Sequence, residues 1–368
     1  MKKAIDAAFS LVARRLDAPL TATIVLLVAV GIAVIYSTSG GNAFDRPLGQ
    51  LRNFAVALTA MWLVANITPQ QLMRLALPVY IVGLALLVGV ALFGDIRNGA
   101  RRWLNLGFVT IQPSEIMKIG VPLALAWYFH KREESLRIVD YAVAVLLLAI
   151  PAGLIMRQPD LGTALLIFSS GFFVILLAGL SWKILISLAV AGGAALPFVW
   201  GMLHDYQRQR ITTLLDPSSD PLGAGYHIIQ STIAIGSGGL LGKGWLNGTQ
   251  GQLDFIPERS TDFILAVFGE EFGLIGIVAL CALYLVIIAR GLMIAMNAST
   301  VFSRLLAGAI TLTFFTYIFV NMGMVSGILP VVGVPLPLIS YGGTALLSML
   351  VGFGILMSIA SHKHLVAS

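Results

Sequence analysis

Charge is what this chain has least of. Lys, Arg, Asp and Glu together make up 11% of its 368 residues, against roughly 25% in soluble domains. With a mean hydropathy of +0.92, a soluble fold is excluded. Cysteine is nearly absent: Cys281 stands alone inside an apolar run, which excludes an intramolecular disulfide and leaves a small core residue as its simplest role. The polar-apolar alternation of a membrane β-strand is missing too. In lipid every backbone amide needs an internal partner, so an all-α polytopic membrane protein is the remaining class. The formal charge of +6 forms no continuous basic patch, which excludes a nucleic-acid partner. No period of 20 to 50 residues indicates a repeat array.

What the chain does have is a succession of apolar runs, and about 20 such residues cross a bilayer as a helix. Ten spans are expected: Leu20 to Tyr36, Phe54 to Ala65, Leu75 to Phe93, Ile116 to Phe129, Val139 to Met156, Leu161 to Leu180, Trp182 to Met202, Phe263 to Ala289, Leu305 to Val325 and Leu338 to Ser361. Two of them, Phe54 to Ala65 and Ile116 to Phe129, are short for a bilayer and are expected to extend into their flanks. No small-residue cleavage site follows the first run, which reads as a retained helix. The whole chain, 1–368, is expected to be one membrane domain.

Ten spans put both termini on one side, and Lys plus Arg in short loops decide which. One set of loops carries Lys2, Lys3, Arg14, Arg15, Arg74, Lys131, Arg132, Arg137, Lys183, Arg290, Arg304 and Lys363; the other carries only Arg46, Arg52, Arg97, Arg101, Arg102 and Arg157. The termini are therefore expected in the cytoplasm and the long segment 203–262 outside, between helices 7 and 8. A connection of that length usually carries function.

An ionisable residue within a span is costly and calls for a partner or a role. Glu115 and Lys118, three apart, share a helix face, as a locking pair or as substrate groups. Asp160, in the turn Arg157-Gln-Pro-Asp160, reads locally as a helix cap. The segment from Gly223 to Gly251 holds nine glycines. Its Gly236-Ser-Gly-Gly-Leu-Leu-Gly-Lys-Gly244 run fails as a phosphate loop, because Ser237 and Gly244 stand where glycine and Ser/Thr are required. Freed amides there suit a diphosphate or merely a pliable lid. Asp262 precedes the eighth span, either capping it or acting as a carboxylate at its positive end. Glu270 and Glu271 fall about 12 Å further along on different faces. The last outer loop, Gly327 to Thr344, is rich in Pro and Gly and reads as a pocket wall.

Glu115, Lys118, Asp160, Asp262, Asn321 and Ser340 all fall at the outer ends of their spans. Scattered structural charges have no reason to share a side, so one outward-opening cavity is expected.

These residues also stand in recognisable strings. Gly99-Ala-Arg101-Arg102-Trp103, Gln112-Pro-Ser-Glu115-x-x-Lys118, Gln158-Pro-Asp160-Leu-Gly162, Gly225-Tyr-His-Ile-Ile-Gln230-Ser231, Phe255-Ile-Pro-Glu258 with Thr261-Asp262-Phe263, and Pro335-Leu-Pro-Leu-Ile-Ser340-Tyr341-Gly-Gly343 closely resemble the SEDS family of bacterial cell-wall polymerases. The likeness runs from the first span to the last, and the stretch Gly225 to Gln252 resembles the elongation branch more than the division branch.

That resemblance implies a peptidoglycan glycosyltransferase joining lipid II into glycan strands at the outer face of the bacterial cytoplasmic membrane during rod-shape maintenance. It implies that Asp262 is the base that deprotonates the acceptor hydroxyl, a proton transfer the chemistry requires. It carries Arg101, Glu115, Lys118, Asp160, Gln230, Ser231, Glu258, Asn321, Ser340 and Tyr341 as substrate-contacting candidates, with Lys118 and Arg101 as cations for the diphosphate leaving group. It implies as partners a class B penicillin-binding protein, other elongation-complex membrane proteins, the growing strand and membrane lipids. No D-x-D pair or His/Cys cluster marks a metal site, so a magnesium or manganese ion would be shared between the diphosphate and a lone carboxylate. The rival reading, a lipid flippase or transporter, predicts polar groups along a whole path with a mid-membrane site, and the inner halves of these spans are nearly bare of charge.

Overall fold

A computed structural model describes residues 16–362, apart from 42, 98–99, 106, 108–109, 204, 221–222, 254 and 257. The topology charges Lys2, Lys3, Arg14, Arg15 and Lys363 lie outside the described residues.

Seven spans come first: α1 (Ala18–Thr38), α2 (Asp45–Ala65), α3 (Pro69–Phe93), α4 (Pro113–Lys131), α5 (Ile138–Met156), α6 (Leu161–Leu177) and α7 (Trp182–Met202). A structured connection follows, with α8 (Asp205–Leu215), α9 (Ala224–Gly238) and the one-turn α10 (Thr249–Gln252). The last three spans are α11 (Ile264–Met296), α12 (Val301–Val325) and α13 (Gly343–Ser361). Seven of these ten (α1, α2, α3, α5, α11, α12 and α13) are long and apolar enough to cross a membrane, and α6 and the first part of α7 are shorter apolar helices. The span α4 is diluted by Glu115, Lys118, His130 and Lys131.

The helices begin where short polar side chains satisfy the first free amides. Asp17 accepts from Leu20 N, Thr68 and Gln71 form a capping box, and Thr300 accepts from Ser303 N. The two spans that read as short do extend into their flanks: α2 starts nine residues before Phe54, and α4 runs from Pro113 to Lys131.

Two regions differ from what the sequence led us to expect, one by forming strands and one by forming helices. Between α3 and α4 a small antiparallel sheet forms in the order β1 (Asp95–Arg97), β2 (Ala100–Asn105), β3 (Thr110–Ile111), with Asp95 opposite Trp103 and Leu104 opposite Ile111. Open sheet edges need water or protein partners, which a loop beyond the hydrocarbon has. The segment 203–262, read as a glycine-rich loop, is largely helical. The apolar face of α9 packs on α11 and α12, and Ser231 donates to Val325 O at 2.8 Å.

At 33 residues, α11 would be about 50 Å long if straight, far more than a 30 Å hydrocarbon core. It is broken at Gly273, whose φ of 63° and ψ of −164° are non-helical. The break exposes backbone groups that lipid cannot satisfy. The segment after α9 enters the break and supplies them. Leu274 N donates to Gly239 O at 3.0 Å and Ile275 N to Leu240 O at 3.1 Å, while Lys243 N and Gly244 N donate to Glu270 O and Glu271 O, both at 3.0 Å. The backbones come so close that a Cβ on Gly273 would lie 2.3 Å from Gly242 N. The first two turns of α11 therefore form a separate block wedged against α9, and Asp262 sits at its head.

Candidate functional site

The turn before α11 is built on Glu258, whose φ of 53° is left-handed. Its carbonyl accepts from both Thr261 N (3.0 Å) and Phe263 N (3.2 Å). Because α11 starts after Phe263 with no side-chain cap, Asp262 does not close the helix, and the purely structural role read from sequence fails for it. Among the described residues its carboxyl takes part in no hydrogen bond or ion pair. Burial, then the neighbouring Glu258 charge, push it up to about 6. A lone carboxyl in a rigid turn, with a pKa near the operating range, has the properties of a general base.

The surroundings hold the turn rather than the carboxyl. Asn321, fully buried on α12, donates from Nδ2 to Asp262 O at 2.8 Å and Val334 O at 2.7 Å. Ser340 donates to Thr261 O at 2.6 Å and accepts from Leu336 N, and Tyr341 N donates to Ser260 O at 2.8 Å. Glu258 accepts from the Thr261 hydroxyl at 2.6 Å. Asp262 Oδ2 faces Gly333, 3.4 Å from where a side chain there would begin. Asn321, Ser340, Tyr341 and Glu258 are therefore brought together around Asp262, through backbone as much as side chains.

A second group lies across the Pro/Gly-rich segment. Asp160 caps α6, accepting from Thr163 N at 3.1 Å, as its local reading had it, and also sits 3.6 Å from Arg102. Lys118 is bonded to Glu115 at 2.7 Å and lies 5.3 Å above the Tyr317 ring, and Ser348 donates to the other Glu115 oxygen at 2.6 Å. With its charge so met and only 8% of its side chain exposed, Lys118 is poorly placed to receive a diphosphate. Arg101, in β2, is exposed, and no contact joins it to Asp262. Among the described residues no hydrogen bond engages the Gln230 side chain, whereas Ser231 is 0% exposed and fully used in packing α9 onto α12, a correction to its substrate role.

The single outward cavity expected from sequence also needs correcting. A cavity of about 440 Å³ opens between α2, α3, α4 and α13, lined mostly by aliphatic side chains with Gln112, Glu115 and Ser348 among its polar groups. Asp262 does not line it. The 327–342 segment packs between the two groups, its Val334, Leu336 and Ile339 buried, with Val332 O so close to α6 that a Cβ on Gly162 would lie 2.6 Å away. Its middle is packed backbone, while Ile328 and Thr344 at the two ends of the Gly327 to Thr344 stretch line cavities.

Sequence reasoning gave no site role to four residues. Gln50 is buried in α2, donating to Ser340 O at 3.1 Å and accepting from Gly342 N at 3.2 Å. Arg46, one turn earlier, donates to Ser260 Oγ at 3.1 Å. His227 stacks on Phe263 with centroids 5.2 Å apart, and burial holds its pKa below the usual value. Glu270 accepts from Lys243 Nζ (2.7 Å), Thr249 N and Oγ1 (both 3.0 Å) and Gln250 N (3.1 Å), its carboxylate organising the segment around α10. Arg46 and Gln50, four apart at the start of an apolar run, were the one visible signal.

Glu270→Ala leaves two backbone amides and an ammonium without their acceptor, and breaking such a buried pair costs about 3–5 kcal/mol. The expected result is a lower melting temperature with early proteolysis in 243–252; an unchanged melt and cleavage pattern would remove this role.

Fold and site together define a helical polytopic membrane protein with two groups of polar residues, one of them built around a turn-borne carboxyl. Residues 17–365 match the FtsW/RodA/SpoVE family described as cell cycle protein, and the chain belongs to that family. It is 51% identical over 355 residues to the peptidoglycan glycosyltransferase MrdB of Escherichia coli K12, covering 96% of this chain and 95% of that one. It is 34% identical to the probable peptidoglycan glycosyltransferase FtsW of Geobacter metallireducens, over 94% of this chain and 95% of the other. Among solved structures, a chain of a peptidoglycan synthase complex that coordinates polymerization and crosslinking matches with a TM-score of 0.82 at 34% identity, covering 95% and 98% of the two chains. The rod shape determining protein RodA of Thermus thermophilus matches at 0.71 and 30% identity, with the same coverage, and its aspartate-to-alanine mutant at 0.72.

Proposed function

We infer that this protein is a peptidoglycan glycosyltransferase of the elongation type, polymerising lipid II into glycan strands at the extracytoplasmic face of the bacterial cytoplasmic membrane. The observation that carries the mechanism is the Asp262 carboxyl, held by its backbone in a fixed turn, raised to about 6 and, among the described residues, in no hydrogen bond or ion pair. An acceptor hydroxyl loses its proton to Asp262 as its oxygen attacks the donor's anomeric carbon. The carbon-oxygen bond to the polyprenyl diphosphate breaks, and the leaving group departs with the bonding pair. Among the described residues no three His, Cys, Asp or Glu side chains converge to hold a metal; a magnesium or manganese ion bound with the substrate would have the exposed Glu258 as its carboxylate and would supply positive charge to the diphosphate leaving group.

The partner in this reading is a class B penicillin-binding protein that crosslinks the strands, within a complex of elongation membrane proteins. The purified pair given lipid II makes polymer resolvable on a gel; no polymer from the folded pair would overturn the reading.

The proton arithmetic gives a pH test. A base works deprotonated, so activity climbs with pH through about 6. Glu258 contributes to that raised value, and Glu258→Gln removes its charge, so the acid limb of the polymerisation profile moves to lower pH. A limb that stays put or moves up contradicts the assignment.

A further inference from the structure

A base must be matched by groups that seat the sugar against it, yet the bonds that Asn321, Ser340 and Tyr341 make around Asp262 all go to backbone. We propose that His227, on α9, contacts the substrate, donating from Nε2–H to an oxygen of the sugar that reacts beside Asp262; the identity of that sugar rests on the polymerase reading above. The imidazole lies flat on the ring of Phe263, the next residue after Asp262, with 17° between the planes and 5.2 Å between the centroids. Phe263 is itself buried, so the stack fixes the plane of the imidazole.

The two ring nitrogens differ. Nδ1 is buried with no hydrogen-bond partner. Among the described residues Nε2 has no partner either, but unlike Nδ1 it is not buried. An imidazolium would carry a proton on both nitrogens, and a buried N–H without an acceptor is costly. The favoured form is therefore the neutral tautomer with its proton on the accessible Nε2. Burial, against the opposing pull of Glu258 and Asp220, keeps the pKa below the usual value, so the ring is a neutral donor at neutral pH. Such a donor suits an uncharged sugar oxygen, whereas a diphosphate calls for a cation. The position is also preorganised. Asp220 accepts from Ala224 N at 3.0 Å at the start of α9, and Ser231, one turn beyond His227, donates to Val325 O at 2.8 Å. Glu258 acts on both His227 and Asp262, which agrees with the placement that the Phe263 stack gives.

The test uses the full chain in phosphatidylcholine nanodiscs, with direct binding of lipid II and of undecaprenyl diphosphate, which carries no sugar, as readouts beside the polymerisation rate. His227→Phe keeps an aromatic ring for the stack and removes the donor. It is expected to melt like the wild type and to bind lipid II about three- to tenfold more weakly, the worth of one neutral hydrogen bond, with undecaprenyl diphosphate binding unchanged. His227→Gln restores a neutral donor and should recover most of the lipid II affinity, with the acid limb of the rate profile unmoved. Unchanged lipid II affinity in His227→Phe overturns the contact. Equal losses for the two ligands also overturn it, because the ring would then be reading the diphosphate. So does an acid limb that shifts in His227→Gln, since the imidazole would then be exchanging the proton. Histidine-dependent lipid II binding by a protein that makes no polymer would sink the polymerase reading and leave the sugar contact standing.

Discussion

Asp262→Ala is expected to lower the polymerisation rate by about 10²- to 10⁴-fold, the usual contribution of a positioned general base, with little change in KM. Asp262→Asn should do the same, because an amide keeps the shape and cannot take the proton. Neither variant should unfold the protein. The turn is held by backbone bonds from Asn321, Ser340 and Tyr341, and the carboxyl itself stabilises nothing. Its pKa is raised from 3.8 to about 6, so the folded state binds its proton more tightly than the unfolded chain does. The resulting penalty is absent below pH 4, grows as pH rises toward 6 and is full above that, at ~3 kcal/mol. Removing the group should therefore keep or raise the melting temperature at neutral pH while activity disappears. Normal polymer from either variant, or a collapse in stability, would show that the carboxylate is structural.

Gly273→Ala is the substitution expected to damage the fold most. It places a Cβ 2.3 Å from Gly242 N, backbone that cannot step aside, at a φ of 63°. Strain of about 1–3 kcal/mol and a similar overpacking cost together make ~2–6 kcal/mol. Because the segment entering the break at Gly273 also holds the block that carries Asp262, activity should fall with the melting temperature. Gly153→Ala, on α5 with nothing within 4 Å, is the control and should melt like the wild type. A Gly273→Ala protein that also melts like the wild type would show that the inserted segment does not need this close approach.

Most of the fold was legible in the chain because lipid is a simple solvent. An apolar run long enough to cross must be helical, and α1, α3, α5, α12 and α13 fall close to where hydropathy places them. What hydropathy cannot register is a helix beginning in polar residues, and so α2 starts well before its apolar run, at Asp45. The break in α11 was hidden for a related reason. Gly273 lies in an apolar stretch like any other, and only the strand of backbone from 239 to 244 docking beside it makes the break tolerable.

At the site the division is similar. That Asp262, Asn321, Ser340 and Tyr341 share a membrane face follows from counting spans, and the motif resemblance singled out Asp262. Whether Asp262 caps a helix or stands unbonded among the described residues was left to the turn at Glu258, as was the fate of Lys118 to Glu115 on its own helix and Tyr317 on α12. By itself the sequence determined the solvent, the helices and the side on which polar groups collect, since these depend on transfer free energy and local spacing. Only the tertiary structure decided which of those groups are already bonded to one another and which remain available, because a side chain's partners come from distant parts of the chain and no local property encodes their approach.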